Sequence, residues 1–210
     1  MEIAVLAYDG MTALDAVGPA QVLAAMPGAR VTWVAPEPGP KRTDAGMAIV
    51  ADTRIDDVPR PDVVVVPGAV DVRPVMKDAR VLSWLSAADA TTAWTTSVCT
   101  GALILGAAGL LRGKRATTHW MMLEALSRYG AVAVSERVVV DGRTITAAGV
   151  SAGIDMALRL VQLAAGDAAA QVVQLAIEYD PAPPFPYGSP RTAPPAIVDA
   201  ARRALGGAAS

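Results

Sequence analysis

Pro61-Asp62-Val63-Val64-Val65-Val66-Pro67-Gly68 is the stretch that decides the fold of this 210-residue chain. Four consecutive β-branched residues, bounded by Pro-Asp before and Pro-Gly after, read as a strand covered on both faces, the signature of the middle of a parallel sheet. Parallel strands require crossover segments between them, and the flanking sequence supplies these. Upstream, Ile3 to Tyr8 is a short apolar run halted by Asp9-Gly10, and Leu14, Val17, Val22 and Leu23 then recur at helical spacing until Met26-Pro27-Gly28. Arg30 to Ala35 is a second strand. The Pro/Gly-rich segment Pro36 to Pro40 opens a polar excursion ending in Ile49-Val50-Ala51, where short hairpin strands are expected.

Downstream, the spacing predicts a helix over Val81–Ala88, a strand over Thr91–Val98, a helix over Ala102–Leu111, a short strand near Ala116 and a helix over Trp120–Tyr129. Two further strands are joined by Asp141-Gly142, a favoured hairpin pair. Helices over Ser151–Ala165 and Asp167–Tyr179 follow, with Ser151 and Asp167 expected as N-caps. Strand-helix alternation with short connections predicts an α/β sandwich around a mostly parallel sheet.

The length suits one core, so residues 1–180 are expected to form a single α/β domain and residues 181–210 a Pro-rich arm. Pro181, Pro183, Pro184, Pro186, Pro190, Pro194 and Pro195 argue that this arm runs extended. Phe185 and Tyr187 within it suggest docking on its own domain or on a partner subunit; a loose terminus is the alternative.

Hydrophobic residues make up 53% of the chain and charged residues 18%, which excludes disorder. The net charge of −2 arises from 18 basic and 20 acidic residues without a run of either sign, so a nucleic-acid partner is not expected. The longest apolar stretches, such as Ala102–Leu111, are half the roughly 20 residues of a membrane span, so no membrane association is expected. Met1-Glu2-Ile3 enters the first strand without a basic leader, which points to the cytoplasm. A single cysteine, Cys99, and a single histidine, His119, cannot supply an internal disulfide or a structural zinc site.

In a parallel sheet, ligands bind beyond the carboxyl ends of the strands, where helix N-termini point inward. Three segments end there: the first strand leads through Asp9-Gly10 to Asp15, the valine strand ends at Pro67-Gly68-Ala69, and the strand before Cys99 ends at Cys99-Thr100-Gly101. If those strands are neighbours, a carboxylate, a pair of backbone N–H groups and a thiol share one site. Cys99 occupies a strand-to-helix elbow that exposes a nucleophile, and the helix N-terminus is expected to draw its thiol toward thiolate. The structural alternatives are an inert core thiol for Cys99 and a helix cap for Asp15. His119 lies across a helix and a strand from Cys99, so capping or packing is the expectation for it. Asp71 and Arg73, beyond the Gly68 turn, are weaker candidates to line the site.

Ser97-Val98-Cys99-Thr100-Gly101, Gly106-Ala107-Ala108-Gly109-Leu110-Leu111 and Ala116-Thr117-Thr118-His119-Trp120 resemble the ThiJ/PfpI superfamily, of the class I glutamine amidotransferase-like type. Leu14-Asp15-Ala16-Val17-Gly18-Pro19, Pro67-Gly68 and Ala148-Gly149-Val150-Ser151-Ala152-Gly153-Ile154-Asp155 extend the resemblance over nearly the whole chain, and its isonitrile hydratase branch matches best. The resemblance implies a flavodoxin-like three-layer sandwich, a homodimer and a nucleophilic Cys99. Thr100 stands where many relatives carry a histidine, and Asp15 where many carry a glutamate. Thr100 is the expected hydrogen-bond partner of Asp15. Gly68, Ala69, Gly149 and Val150 are the expected substrate or oxyanion contacts. Ala69 replaces a glycine common in relatives, and its methyl is expected to narrow the pocket or alter the oxyanion site.

The activity implied is hydration of a small-molecule isonitrile to an N-substituted formamide, through a thioimidate on Cys99 and with no metal or organic cofactor. The resemblance leaves open a cysteine-oxidation sensor or protective protein, and glyoxalase- or deglycase-like chemistry. An AraC-type DNA-binding regulator is disfavoured for want of a helix-turn-helix pair. Two acids that share one site compete for one proton. The expectation is that the shared proton sits mainly on Asp15, leaving Cys99 as thiolate.

Overall fold

A computed structural model of the chain describes residues 1–206. In chain order the elements are β1 (Glu2–Leu6), α1 (Ala13–Ala24), β2 (Arg30–Ala35), β3 (Gly39–Arg42), β4 (Ala48–Ala51), β5 (Thr53–Arg54), β6 (Val63–Val66), α2 (Arg73–Met76), α3 (Ala79–Asp89), β7 (Trp94–Val98), α4 (Gly101–Ala107), β8 (Arg115–Ala116), β9 (Val132–Ala133), β10 (Val138–Asp141), β11 (Thr144–Ala147), α5 (Ala152–Ala165), α6 (Asp167–Ala176) and α7 (Pro195–Gly206). Short 3₁₀ helices cover Ile55–Asp57 and Trp120–Tyr129.

The main sheet has the order β10-β11-β7-β6-β1-β2-β5, with the valine strand β6 at its centre. All four valines are buried, as a strand covered on both faces requires. β6 runs parallel to β1 on one side and to β7 on the other. Only the edge strand β10 is antiparallel, turning back from β11 through Asp141-Gly142. The β3–β4 hairpin forms where the polar excursion was expected. From β1 the chain first adds β2 on one side and later returns to add β6 on the other, so the order reverses beside β1. That reversal opens a crevice at the carboxyl ends of β1 and β6.

Helices α1 and α5 pack together, with α6 against α5, while α2, α3, α4 and the Trp120–Tyr129 helix pack with one another. These two layers sandwich the sheet, giving the flavodoxin-like three-layer architecture. The central core joins Ile3, Leu6 and the β6 valines to Leu23, Leu85, Ile104, Leu105, Ile145, Met156 and Leu160, each essentially without exposed surface. Burial on this scale, at roughly 25 cal/mol per Å² of apolar area, is the main force holding the layers.

Four local expectations change. Trp120–Tyr129 winds as a 3₁₀ helix rather than an α-helix. Trp120, Leu123, Leu126 and Tyr129 are spaced three apart, so three residues per turn align them on one stripe, and Leu123, Leu126 and Tyr129 pack on the core, Tyr129 against Gly106 of α4. Ser151 precedes α5 but its side chain makes no capping bond. Asp167 is the first residue of α6, and Gly166, at φ +89°, occupies the cap position. The arm is not extended throughout: after an irregular stretch, α7 begins at Pro195. Proline costs nothing at the first helical position, where its missing N–H has no intrahelical partner, and no proline follows it in α7. Residues 207–210 of the arm lie outside the described residues.

Candidate active site

Asp15, Gly68 and Cys99 meet at the crevice because β1, β6 and β7 are adjacent in the sheet. Cys99 follows β7 directly and adopts φ +57°, a left-handed conformation that costs a non-glycine residue on the order of 1–3 kcal/mol. The surroundings hold it there. Its N–H reaches the carbonyls of Ala147 and Ala148 at 3.1 and 2.9 Å, and its own carbonyl accepts the Thr118 hydroxyl at 2.7 Å. Gly101 lets α4 start immediately after this elbow, since a Cβ there would stand 2.1 Å from the Val66 carbonyl oxygen.

Asp15 lies in the first turn of α1, yet it is fully buried and does not cap the helix. Its Oδ2 accepts the Gly68 N–H at 2.9 Å. Oδ1 has no hydrogen-bond partner among the described residues. The Cys99 thiol stands beside the carboxyl and favours its ionised form, as does the Gly68 N–H, but burial outweighs both and the charge of Asp44 adds to it. The net effect pushes Asp15 up to about 7. Burial and the charge of Asp15 push the Cys99 thiol up to about 12, against the pull of the Thr100 and Val150 N–H groups.

This reverses the expected sharing of the proton. Cys99 has only 6% of its surface exposed, so desolvation penalises a thiolate more than the neighbouring N–H groups repay. Near neutral pH the first negative charge therefore falls on the carboxyl group and the sulfur keeps its proton.

Thr100 does not bond Asp15 as expected. Its hydroxyl donates to the Ala69 carbonyl at 2.7 Å and accepts the Ala69 N–H at 2.9 Å, so its only proton is committed. The N–H groups of Gly68 and Ala69, expected to face a reacting oxygen, are thus taken by the Asp15 carboxylate and the Thr100 hydroxyl. The donors left at the sulfur are the N–H groups of Thr100 and Val150. Val150 is held at φ +35°, a second left-handed non-glycine residue beside the site.

His119 is adjacent but turned to other work. Its Nδ1 accepts the Met121 N–H at 3.4 Å, capping the 3₁₀ helix, and its ring lies against Gly149. Burial lowers its pKa and keeps it neutral. Asp71 and Arg73 pair with each other at 2.7 Å on the exposed surface at the start of α2 and do not contribute to the site.

Two nearby residues escaped the sequence reading. Tyr8, at the end of the first strand, donates its hydroxyl to the Pro67 carbonyl at 2.7 Å and is buried in the field of Asp15 and Cys99, which keeps it protonated. An aromatic residue at the carboxyl end of a parallel strand was its one available signal. Asp44 approaches from the β3–β4 turn, and nothing in its spacing announces it.

Beside the site lies a cavity of about 550 Å³. Gly149 and Val150 form part of its wall, with His119, Trp120 and Leu123 on one side and the arm residues Pro186 and Pro190 on the other. The arm runs beside the Trp120 side of the domain, largely exposed, and Arg202 of α7 lies 5.6 Å over the Trp120 ring.

Comparison with known proteins agrees with this arrangement. The chain is 46% identical over 203 residues to the isonitrile hydratase of Pseudomonas putida, an alignment covering 97% of this chain and 89% of that protein. The crystal structure of a ThiJ/PfpI family protein from Pseudomonas syringae superposes with a TM-score of 0.94 at 40% identity, covering 98% of this chain and 86% of that one. Drosophila melanogaster DJ-1beta, at 23% identity and a TM-score of 0.77, shares the fold over 86% of this chain and 98% of its own. The family description DJ-1/PfpI matches residues 1–163, and the chain belongs to the DJ-1/PfpI family.

Proposed function

We propose that this protein is an isonitrile hydratase, a cysteine-dependent hydro-lyase that adds water to an isonitrile and releases an N-substituted formamide. The observation that carries the reading is the buried pairing of Asp15 with the lone Cys99, with one carboxyl oxygen free and His119 committed elsewhere. An isonitrile carbon must accept a nucleophile and a proton at the same atom. A thiol and a carboxyl that exchange one proton supply both.

In the first step the Cys99 sulfur bonds to the terminal carbon while its proton passes to the Asp15 carboxylate and from there to that carbon. The product is a thioimidate, R–N=CH–S–Cys99. Covalent attachment divides one difficult addition into two easier ones. Water then adds to the thioimidate carbon, Asp15 accepts one water proton and returns it to nitrogen, and the tetrahedral adduct expels the Cys99 sulfur as the remaining hydroxyl proton passes through Asp15 back to that sulfur, restoring the thiol and the carboxylate. The released molecule is R–NH–CHO, and one water has been consumed. The N–H groups of Thr100 and Val150 steady the sulfur as it leaves with negative charge. Thr100 acts through Ala69, fixing the Gly68–Ala69 turn that in turn holds Asp15. The substituent R is assigned to the cavity beyond Gly149 and Val150, where Trp120, Leu123 and two prolines stand beside Glu136, Arg137 and Arg191, a lining that suits a substituent with both apolar and polar parts.

A homodimer fits the surface. Leu14, Val17, Phe185, Tyr187 and Ile197 are large apolar side chains left exposed. Leu14 and Ile154 both lie beside Gly18, where α1 meets α5. Among the described residues no helix is long and apolar enough to cross a membrane. A lone free thiol suits the reducing cytoplasm, where we place the reaction.

The test is incubation with alkyl and aryl isonitriles and detection of N-formamides by mass spectrometry, with Cys99→Ala as control. Formamide above control is the expected result. Its absence for every isonitrile tried would overturn the reading, and a Cys99 adduct that never hydrolyses would point to a sensing role instead.

A further inference from the structure

The β3–β4 hairpin makes no strand pairing with the main sheet, yet its turn is sewn onto the segment that leads into α1. The Gly10 N–H donates to the Arg42 carbonyl at 2.7 Å, the Asp44 N–H to the Met11 carbonyl at 3.1 Å, and the Arg42 N–H to the Asp9 carboxylate at 2.8 Å. The side chain of Asp44 completes the seam. Its Oδ2 accepts the Thr12 hydroxyl at 2.8 Å and its Oδ1 the Ala13 N–H at 3.1 Å.

Thr12 occupies the N-cap of α1, but its own side chain makes no capping bond to the helix. The orphan N–H at the helix start is satisfied instead from 31 positions away. The same short segment grips the site, since the Thr12 N–H donates to the Gly68 carbonyl at 2.8 Å while the Gly68 N–H donates to Asp15 at 2.9 Å.

We propose that Asp44 is a positioning residue for the Asp15 carboxyl: from the hairpin turn it pins the first turn of α1, and it keeps a negative charge close to the acid that the reaction uses. The inference rests on the role given to Asp15 above. Groups that bear on Asp15 come from each element packed around it: the Cys99 thiol after β7, the Tyr8 hydroxyl after β1, the Gly68 N–H after β6, and Asp44 from the hairpin. Of these, Asp44 is the carboxyl that takes no part in proton transfer. A like charge raises the proton affinity of a carboxyl, in agreement with the direction found for Asp15.

Asp44→Asn separates the two contributions. An asparagine oxygen can still accept the Ala13 N–H, its amide can donate to the Thr12 oxygen, and only the charge is lost. Asp44→Ala removes charge and cap together. The direct readout is ¹³C-carboxyl NMR of aspartate-labelled protein, with the Asp15 resonance assigned by its loss in Asp15→Asn.

In Asp44→Asn the Asp15 midpoint should fall by about 0.5 pH unit, the size expected for a solvent-screened charge. The rise of kcat/KM with pH should move down by the same amount, with the maximum kcat within about twofold of the parent. In Asp44→Ala the maximum kcat should fall roughly tenfold, as suits a misplaced reacting group. Thr12→Val, which removes only the hydroxyl bond, serves if the alanine variant does not fold, and it should lower kcat severalfold without moving the Asp15 midpoint.

An unmoved Asp15 midpoint in Asp44→Asn would overturn the electrostatic half. Parental kcat in Asp44→Ala, or in Thr12→Val if the alanine variant does not fold, would overturn the positioning half. The NMR titration needs no substrate, so a shifted midpoint in a protein that turns over no isonitrile would defeat the function proposed above and leave this electrostatic link intact.

Discussion

The Gly68 N–H holds Oδ2 of Asp15 at 2.9 Å across 53 positions of sequence, and there is no room at Gly68 for anything larger than hydrogen. A Cβ at that position would lie 2.6 Å from both the nitrogen and the hydroxyl of Thr100 and 2.9 Å from Asp15. Gly68→Ala should therefore force apart the contacts that align the carboxyl with the sulfur. We expect turnover to fall at least 100-fold, with destabilisation of about 1–3 kcal/mol from overpacking. Steady-state kinetics and urea unfolding would check this; near-parental turnover would show that the turn does not position Asp15.

Asp15→Asn should make the thiol more reactive and the enzyme less active. Removing the negative charge relieves one of the two causes that push Cys99 up to about 12, so iodoacetamide alkylation near pH 8 should accelerate severalfold. Turnover should fall by about 100-fold or more, the scale of lost acid-base catalysis. Slower alkylation in the variant would contradict the charge assignment at the site.

The same substitution carries a pH signature in stability. Asp15 ionises near 3.8 when unfolded and at about 7 when folded, so the folded state binds the proton more tightly between those values. The wild type loses stability as pH rises through that window, by an amount on the order of 4 kcal/mol at full burial. Asp15→Asn has no such loss. The difference in thermal midpoint between the two proteins should grow in favour of the variant from pH 4 to pH 8, and a constant difference would refute the raised value.

His119→Ala should leave kcat within about threefold of the parent, because the imidazole is neutral and its Nδ1 caps a helix. Stability should drop by about 1 kcal/mol, typical of a lost cap. A collapse of kcat with unchanged stability would give His119 a chemical role.

Truncation after Asp180 should raise KM more than it lowers kcat, since Pro186 and Pro190 wall the cavity assigned to the substituent while Asp15 and Cys99 lie outside the arm. Kinetics across isonitriles of increasing size would check this. A lower kcat with unchanged KM would place the arm in the chemistry.

The valine strand, the Asp141-Gly142 turn and the meeting of Asp15 with Cys99 were legible because each depends on local pattern and on a general property of parallel sheets. The winding of Trp120–Tyr129 was harder to read, since three-residue and four-residue periodicities look alike over ten residues. Proline density hid α7, where Pro195 opens a helix that its predecessors would have broken. The proton's location was not legible at all. It depends on how completely the elbow removes Cys99 from water, which no motif records. Asp44 was invisible for a similar reason, because its bonds to Thr12 and Ala13 exist only once the hairpin has folded back.

The second left-handed residue of the site, Val150, bears on synthesis as well as on chemistry. Asp15 leaves the ribosome first and Cys99 much later, yet the sulfur still lacks one of its two backbone donors until the Val150 peptide has emerged and β11 has paired with β7. A nascent chain arrested between these points would carry the Cys99 thiol and the Asp15 carboxyl without the Val150 N–H beside the sulfur. The pair of N–H groups at the sulfur is thus completed only when β11, the last strand in chain order, has been made and paired.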